Sequence, residues 1–299
     1  MTQSEHSKLS RRRRRWIALA ATAVAALTVA APAPAQVAAP NAAGVAMGHL
    51  HFHVRNVAAN RAFWVALGAR PARPLGEAQV LTFDGLLILL TQGESSGPAA
   101  GSVVDHVALR VKSFAQVEAA GLKVERRRIE GRESGSVIAP SGDHVELFED
   151  HAVHVPFTPD AGRSTPVAER HNRPLDGAVM PHHLHFDVPE GAEGAAQAWY
   201  FKAFGGVPGV RFHYKAMDLP GMNLNFSGVP TRMAPTKGRT LDHVGFEVTN
   251  LEAFCRRLVA AGVALERPYS KGADGVATAL LTDPWGASLE LTEGLDHWK

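Results

Sequence analysis

The chain has 299 residues with 31 basic and 29 acidic side chains, a formal net charge of +2. Residues 1–35 hold six of the basic and one of the acidic residues, so the rest of the chain has a formal net charge of −3. This balance leaves no basic patch for nucleic acid, the length fits two medium-sized domains, and the single cysteine, Cys255, excludes an intrachain disulfide.

The first 35 residues have the layout of a secretory signal peptide. Arginines 11–15 precede an apolar stretch from Trp16 to Ala30, and Ala33-Pro34-Ala35 matches a small-x-small cleavage site. The apolar stretch is short for a membrane span, and adjacent arginines are typical of the twin-arginine route. The sequence therefore predicts a periplasmic or secreted protein, cleaved after Ala35 and without a stable membrane anchor afterwards. An uncleaved amphipathic anchor is the alternative.

Four short segments of the chain share one strand pattern. They are HLHFHV at 49–54, HVALRV at 106–111, HLHFDV at 183–188 and HVGFEV at 243–248. Each begins with histidine, ends with valine and alternates with period two, which predicts a strand with one apolar and one polar face. The leading histidine lies on the polar face in every case.

An amphipathic helical pattern follows each of these strands and closes on a glycine. The helices are predicted over 56–68, 113–121, 191–206 and 250–262. Further short strands complete each unit of about fifty residues, which is repeated four times. The repeats cover 47–93, 103–150, 180–229 and 239–295. The polar, proline-rich stretch at 151–179 predicts a linker between an N-terminal domain (47–150) and a C-terminal domain (180–295).

The last strand of each repeat carries a second signal. Glu146 in SGDHVELFED and Glu290 in DPWGASLELTEG each follow a glycine by four residues, and alternation places both carboxylates on the polar face. Four residues after the corresponding glycine, the first repeat has Leu89 and the third has Asn225. Odd repeats therefore offer one histidine, and even repeats offer a histidine and a glutamate.

This arrangement resembles the vicinal oxygen chelate superfamily, which includes glyoxalase I, extradiol dioxygenases, fosfomycin-resistance enzymes and bleomycin-binding proteins. The resemblance covers residues 47–295, and DHVGFEV and DPWGASLELTE are its most specific parts. It implies an α+β fold of four βαβββ modules, paired into two incomplete barrels that each surround a divalent metal. Carried over by position, it implies one metal site from His49, His106 and Glu146, and another from His183, His243 and Glu290.

The chemistry of these residue types agrees with the resemblance. Two imidazoles and one carboxylate occupy one face of a metal ion and leave the opposite positions open for substrate, water or oxygen. Such a triad suits Fe(II), and also Mn, Ni or Zn. Any odd module paired with any even one supplies this set. A single strand histidine is usually only solvated, whereas four at one repeat position favour a metal site.

Further polar residues lie beside the proposed ligands. Four of them are interpreted as contacts to substrate or to the ligands, with solvated strand positions as the alternative: His51, His53, His185 and Asn225. His213 and Tyr214, on a middle strand of the third repeat, are candidate acid–base groups, although strand packing would also explain them. His182 is expected to point to the opposite face of its strand, away from a metal.

Three functions fit these observations, and each involves a small-molecule partner. The sequence is also compatible with a homodimer. The first is an exported, glyoxalase-like metalloenzyme of the lyase or isomerase class, acting on a small substrate with adjacent oxygens. The second is an Fe(II)-dependent extradiol-type dioxygenase, although Leu280 stands where that family has a tyrosine and residues 265–275 contain no histidine. The third is a non-catalytic protein that binds a small molecule. Glyoxalase I itself has a carboxylate or amide ligand in the odd module. At that position the first repeat here has Leu89, and the third repeat has Asn225.

Overall fold

A computed structural model describes residues 37–129, 132–150, 157–160, 175, 177–296 and 298. The predicted signal peptide, residues 1–35, lies outside this part of the chain. Within the described residues, no helix has the length and apolar character needed to cross a bilayer.

Seventeen strands and four helices lie within the described residues. The first module contains β1 (Val45–Val54), α1 (Val57–Ala66), β2 (Arg70–Pro71), β3 (Gln79–Phe83) and β4 (Leu86–Gln92). The second contains β5 (Val104–Val111), α2 (Phe114–Ala119), β6 (Glu125–Ile129), β7 (Arg132–Ile138) and β8 (His144–Glu149). After β9 (Phe157–Pro159), the third contains β10 (Val179–Pro189), α3 (Glu193–Phe204), β11 (Val207–Arg211), β12 (Tyr214–Leu219) and β13 (Met222–Val229). The fourth contains β14 (Leu241–Val248), α4 (Leu251–Ala260), β15 (Arg267–Lys271), β16 (Ala277–Thr282) and β17 (Ser288–Glu293).

The helices begin and end where the local sequence predicts. Side chains of Asn56, Ser113 and Asn250 accept hydrogen bonds from backbone N–H groups in the first turns of α1, α2 and α4. Helix α3 ends at Gly205, whose φ of 70° is a left-handed conformation that favours glycine. The four predicted βαβββ modules and the α+β fold class are therefore observed.

Within each module the first strand runs parallel to the last strand, as in β1 with β4 and β14 with β17. One face of these strands is apolar and buried. In β14, for example, Val244, Phe246 and Val248 enter the main hydrophobic core, while His243 lies on the other face. The two-residue period thus places all four leading histidines on polar faces of the sheets.

The modules do not pair in sequence order. One sheet has the order β15-β16-β17-β14-β1-β4-β3-β2, so it joins modules 4 and 1. The other has the order β6-β7-β8-β5-β10-β13-β12-β11-β9, so it joins modules 2 and 3. The predicted division into a domain at 47–150 and a domain at 180–295 is therefore wrong, because each sheet combines one module from each of these two ranges.

The physical reason lies in the likeness of the four first strands. β1 pairs antiparallel with β14, with His51 opposite His243, and β5 pairs antiparallel with β10, with His106 opposite His185. Because all four strands alternate in the same way, every odd–even pairing buries the apolar face equally well. The choice depends on the long-range packing of the modules, which the strand pattern does not encode.

The chain between the second and third modules is also more than a linker. Phe157–Pro159 forms β9, which pairs with β11 at the edge of the second sheet. Most of the remaining predicted linker, 151–179, lies outside the described residues. Modules 3 and 4 also touch, because Phe204 of α3 packs on Phe246 with ring centroids 4.6 Å apart. The described residues accordingly form one compact unit.

Candidate metal centres

Two clusters of two histidines and one glutamate form where the modules pair. We call His49, His243 and Glu290 the first triad; they lie on β1, β14 and β17 of the first sheet. We call His106, His183 and Glu146 the second triad; they lie on β5, β10 and β8 of the second sheet.

In the first triad both imidazoles face one carboxylate oxygen. The Oε2 atom of Glu290 lies 3.2 Å from Nε2 of His49 and 3.5 Å from Nε2 of His243. The two rings are nearly perpendicular, with centroids 5.6 Å apart. His49 is fully buried against Gly245, its partner in the strand register.

The second triad repeats this geometry. The Oε2 atom of Glu146 lies 3.4 Å from Nε2 of His106 and 3.5 Å from Nε2 of His183. All three residues are buried. The triad borders a cavity of about 140 Å³, which is also lined by Phe148, Tyr214 and Asn225.

All six predicted ligand residues therefore lie in triads, but the predicted grouping is wrong. By position, the family resemblance implies that His49 lies with His106, and His183 with His243. The structure exchanges these partners, because module 1 pairs with module 4 and module 2 pairs with module 3. Each triad still contains two histidines and one glutamate, as expected for any pairing of an odd with an even module.

The donor sets fit a divalent metal ion. The Nε2 atoms of His49, His106 and His243 are buried and make no well-formed hydrogen bond within the described part of the chain. Buried polar atoms without partners are rare. Each of these three nitrogens faces a glutamate oxygen, so a cation bound in each triad would satisfy both atoms. A 2-His-1-carboxylate set binds Fe(II) and related divalent ions on one face.

The residue before each even-module histidine fixes its ring. Nδ1 of His106 lies 2.7 Å from Asp105 Oδ2, and Nδ1 of His243 lies 2.8 Å from Asp242 Oδ1. A histidine that donates Nδ1–H to a carboxylate presents Nε2 as the free ligand atom, an arrangement common among metal-binding histidines. The repeated Asp-His dipeptide could have revealed both aspartates from sequence, but the strand pattern drew attention only to the histidines.

An arginine holds the other oxygen of each glutamate. Arg127 on β6 donates to Oε1 of Glu146 over 2.6 Å, and Arg267 on β15 does the same for Oε1 of Glu290. Each carboxylate is thus shared between a guanidinium and a histidine pair. These arginines were missed, because their strands carry no motif that links them to the glutamates.

Within each triad, a histidine and the glutamate stabilise the charged form of one another. Burial disfavours the cationic form of His106 and His243, but the adjacent aspartates and the triad glutamates outweigh it and raise the pKa of each histidine to about 9. Burial likewise opposes ionisation of Glu146 and Glu290, yet the histidines lower the pKa of both carboxyls below its usual value. The metal-free protein therefore holds a proton in each triad at neutral pH.

A further histidine borders each triad. His51 Nε2 lies 2.7 Å from Thr91 Oγ1, and His185 Nε2 lies 2.6 Å from Ser227 Oγ. Burial, with the charge of the neighbouring triad histidine, lowers the pKa of both to about 3, so both rings are neutral at physiological pH. Ring nitrogens of His51 lie within 4.8 Å of those of the first triad, and those of His185 are equally close to the second.

His182 does not point away from the second triad, and that expectation is wrong. A β-bulge between Pro181 and His183 shifts the register of β10, so His182 also lines the cavity. Its Nδ1 lies 2.8 Å from Nδ1 of His183, and its Nε2 lies 3.0 Å from Nη1 of Arg211. The His182 ring thus bridges Arg211 and His183, and this contact orients the His183 ring.

The other predicted site residues are divided between two pockets. Tyr214 lines the cavity of the second triad, with its ring 4.9 Å from that of His185. His213 lies in the adjacent turn and lines a neighbouring pocket instead. Asn225 lines the cavity, whereas His53, beside the first triad, lies 3.8 Å from Asp242 and is partly exposed.

We predict that metal affinity rises with pH up to about 9. Below that pH a metal ion must displace the proton held by His106 or His243, whose raised pKa values are about 9. The affinity of each triad should therefore increase roughly tenfold per pH unit between about 6 and 9 and then level off. Calorimetric titration with Co(II) in two buffers of different ionisation enthalpy measures the released protons. An affinity that is independent of pH would contradict this prediction.

Comparison with known proteins agrees with the fold. The family model described as Glyoxalase/Bleomycin resistance protein/Dioxygenase superfamily matches residues 137–291, more than half of the chain. Glyoxalase I from Zea mays is similar in structure, with a TM-score of 0.61 and 15% identity over 84% of this chain and 93% of that chain. A "putative dioxygenase" from Bacillus subtilis subsp. subtilis str. 168 has a TM-score of 0.57 and 13% identity over 88% of each chain.

At these identities the structural likeness concerns the fold alone. No curated protein is significantly similar in sequence. The family model, together with the four modules, identifies the chain as a member of the glyoxalase/bleomycin resistance protein/dioxygenase superfamily.

Proposed function

We propose that this chain is an exported, metal-dependent enzyme of the glyoxalase-like lyase or isomerase class, acting on a small substrate with adjacent oxygens. The observation that supports this function is the repeated triad, in which two buried imidazoles face one carboxylate oxygen. His49, His243 and Glu290 would hold one ion, and His106, His183 and Glu146 another. A bound divalent ion, Fe(II), Mn, Ni or Zn, would polarise a carbonyl or stabilise an enolate.

The residues around each triad would keep its ligands in place before the ion binds. Asp105 and Asp242 hold the Nδ1 side of their neighbouring histidines, so the Nε2 atoms stay directed at the glutamates. Arg127 and Arg267 hold the outer glutamate oxygens. Such fixed ligands reduce the reorganisation needed when the ion and the substrate bind.

Asp187 is a candidate for proton transfer at the second triad. Its carboxylate lies 3.9 Å from Nε2 of His185, and burial together with the charge of Asp105 raises its pKa to about 6. A group with a pKa near the working pH can accept and return a proton, whereas His185, with a pKa of about 3, is a weak base. Tyr214, which lines the cavity, is the candidate acid of the same site.

An extradiol-type dioxygenase is the second candidate, because the triad also suits Fe(II). Leu280 pairs with Glu290 in the register of β16 and β17, so the position of the family tyrosine beside the first triad is apolar. The second triad has Ser136 at the equivalent register position, opposite Glu146. These two positions favour the lyase or isomerase class over oxygen chemistry.

The compartment and the partners belong to the same proposal. Export to the periplasm or the medium depends on residues 1–35, and the chain after Ala35 has a formal net charge of −3, which does not suit nucleic acid. The cavity of about 140 Å³ admits the reacting part of a small-molecule substrate. Sedimentation of the processed protein would show whether it forms a homodimer.

Metal analysis of the processed protein, purified without a metal-binding tag and without chelator, tests the proposed function. We expect about two divalent ions per chain, and loss of both in a control chain with Glu146→Gln and Glu290→Gln. Activity would then be measured on α-oxoaldehyde adducts. In a second assay, the protein would be loaded with Fe(II) under anaerobic conditions, and an oxygen electrode would measure oxygen uptake with catechols. Bound iron with catechol-dependent oxygen uptake would favour the dioxygenase. Absence of metal after reconstitution with Fe(II), Mn, Ni and Zn would leave only a small-molecule-binding protein.

A further inference from the structure

The surroundings of the two triads differ although the triads themselves are alike. Beside the second triad, the cavity of about 140 Å³ is lined by polar and aromatic side chains as well as by the ligands. These include His182, Arg211, Tyr214, Asn225 and Phe148. The volume is similar to that of an engineered cavity of ~150 Å³ that admits benzene, so the reacting part of a small metabolite fits.

Asn225 is the residue in this cavity that most directly indicates a ligand. Its side chain is only 2% exposed. Its Oδ1 atom is buried and has no hydrogen-bond partner among the described residues. Buried polar atoms are almost always paired, so an acceptor that borders an open cavity calls for a donor from a bound molecule. A substrate hydroxyl is such a donor.

The equivalent position beside the first triad is apolar. β4 lies against β1 as β13 lies against β10, which places Leu89 opposite His51 and Asn225 opposite His185. Two residues earlier on the same face, Leu87 lies opposite His49 and Asn223 lies opposite His183. The first sheet thus offers two leucines where the second offers two amides.

The two leucines are also part of a packed hydrophobic cluster. Leu87 and Leu89 are buried together with Val80, Leu295 and Trp298 on the same side of the first sheet. Glu247, which shares a face of β14 with His243, accepts hydrogen bonds from the backbone of Gly294 and Leu295 and so holds this segment in place. Protein side chains therefore occupy space that the second sheet leaves as a polar cavity.

We propose that only the second triad binds substrate, and that a hydroxyl of the substrate donates a hydrogen bond to Asn225 while the adjacent oxygens reach the metal. The first triad, beside which Leu87 and Leu89 replace the two asparagines, holds a metal ion as a structural site. This inference rests on the proposed function, because both triads must first bind metal.

Cobalt spectroscopy on the full chain tests the inference. The probe is acetohydroxamate, which chelates through two adjacent oxygens and carries an N–H donor in place of the substrate hydroxyl. Saturation of the doubly loaded protein should change the visible spectrum of one of its two Co(II) ions. Two equivalents of bound probe per chain would overturn the inference. Failure to bind Co(II) at all would instead refute the proposed function.

Chains with a single intact triad identify which ion responds. The pair His243→Ala and Glu290→Gln leaves the second triad, and the pair His106→Ala and Glu146→Gln leaves the first. We expect the probe to bind the chain that retains the second triad at least tenfold more tightly. Equal affinities, or tighter binding to the chain that retains the first triad, would overturn the assignment.

A substitution at Asn225 tests the hydrogen bond itself. Asn225→Leu copies the residue of the first sheet and should weaken probe binding about tenfold, the usual effect of one buried hydrogen bond, without loss of cobalt. The matched control is Leu89→Val, which should leave both cobalt content and probe affinity unchanged. Unchanged probe affinity in a cobalt-loaded Asn225→Leu chain would overturn the role of Asn225.

Discussion

Replacing His49 and His243 together with alanine should remove one bound metal ion, whereas replacing His49 and His106 together should remove both. The first pair lies in one triad, around Glu290. The second pair is divided between the two sheets, because His106 faces Glu146. Loss of one of two histidine ligands leaves an incomplete set that binds a divalent ion far more weakly. Metal analysis after dialysis at pH 7.5 would give about one ion per chain in the first variant and none in the second.

The same two variants also distinguish the observed pairing of modules from the sequential one. If module 1 paired with module 2, His49 and His106 would share an ion, and their joint replacement would remove only one. That result would contradict the sheet order. His213→Ala is the matched control, since His213 lines a separate pocket and should leave both ions bound.

Replacing Gly245 with alanine should selectively weaken the first metal site. A β-carbon at this position would lie 2.1 Å from the ring of His49, which is fully buried and has no room to withdraw. Overpacking of this kind costs roughly 1–3 kcal/mol, which corresponds to about a tenfold to hundredfold loss of affinity if the cost falls on the ligand geometry. Competition with a chromophoric chelator would show one weakened site and one unchanged site per chain.

Ala108 provides the matched control for this substitution. It lies opposite His183 as Gly245 lies opposite His49, but the second triad already accommodates its β-carbon. Ala108→Gly should therefore leave metal affinity at the second triad within a few-fold of the parent protein. Unchanged metal binding in Gly245→Ala would show that His49 does not need its close approach to the strand. A general loss of folding, visible by circular dichroism, would remove both sites rather than one.

Much of the local structure could be predicted because it depends on short-range patterns. Alternation along β14 separates Val244 and Phe246 from His243, and the same period separates Leu289 and Leu291 from Glu290. Asn250 and Gly205 mark helix ends through hydrogen bonds and dihedral angles that involve neighbouring residues only. The repeat of this pattern four times made the six triad residues recognisable before their positions in space were known.

Other features depend on contacts between residues far apart in the chain. His182 was assigned to the wrong face because a bulge in β10 breaks the strict two-residue period, and that bulge arises from pairing with β5. Arg127 contacts Glu146 and Arg211 contacts His182, both from strands that carry no recognisable motif. The space beside Asn225 is left open where the first sheet is filled by an apolar cluster that includes Leu87 and Leu89.

Short-range sequence patterns are sufficient to define the modules, the polar face of each strand and the six residues that lie in the triads. These properties follow from residue periodicity and from a repeat in which equivalent positions must occupy equivalent environments. Which histidines share a glutamate depends instead on contacts between modules that are far apart in the chain. Four first strands with the same alternation pair equally well through their backbones, so the choice between partners depends on the packing of whole modules against one another. That packing places His49 with His243, and His106 with His183.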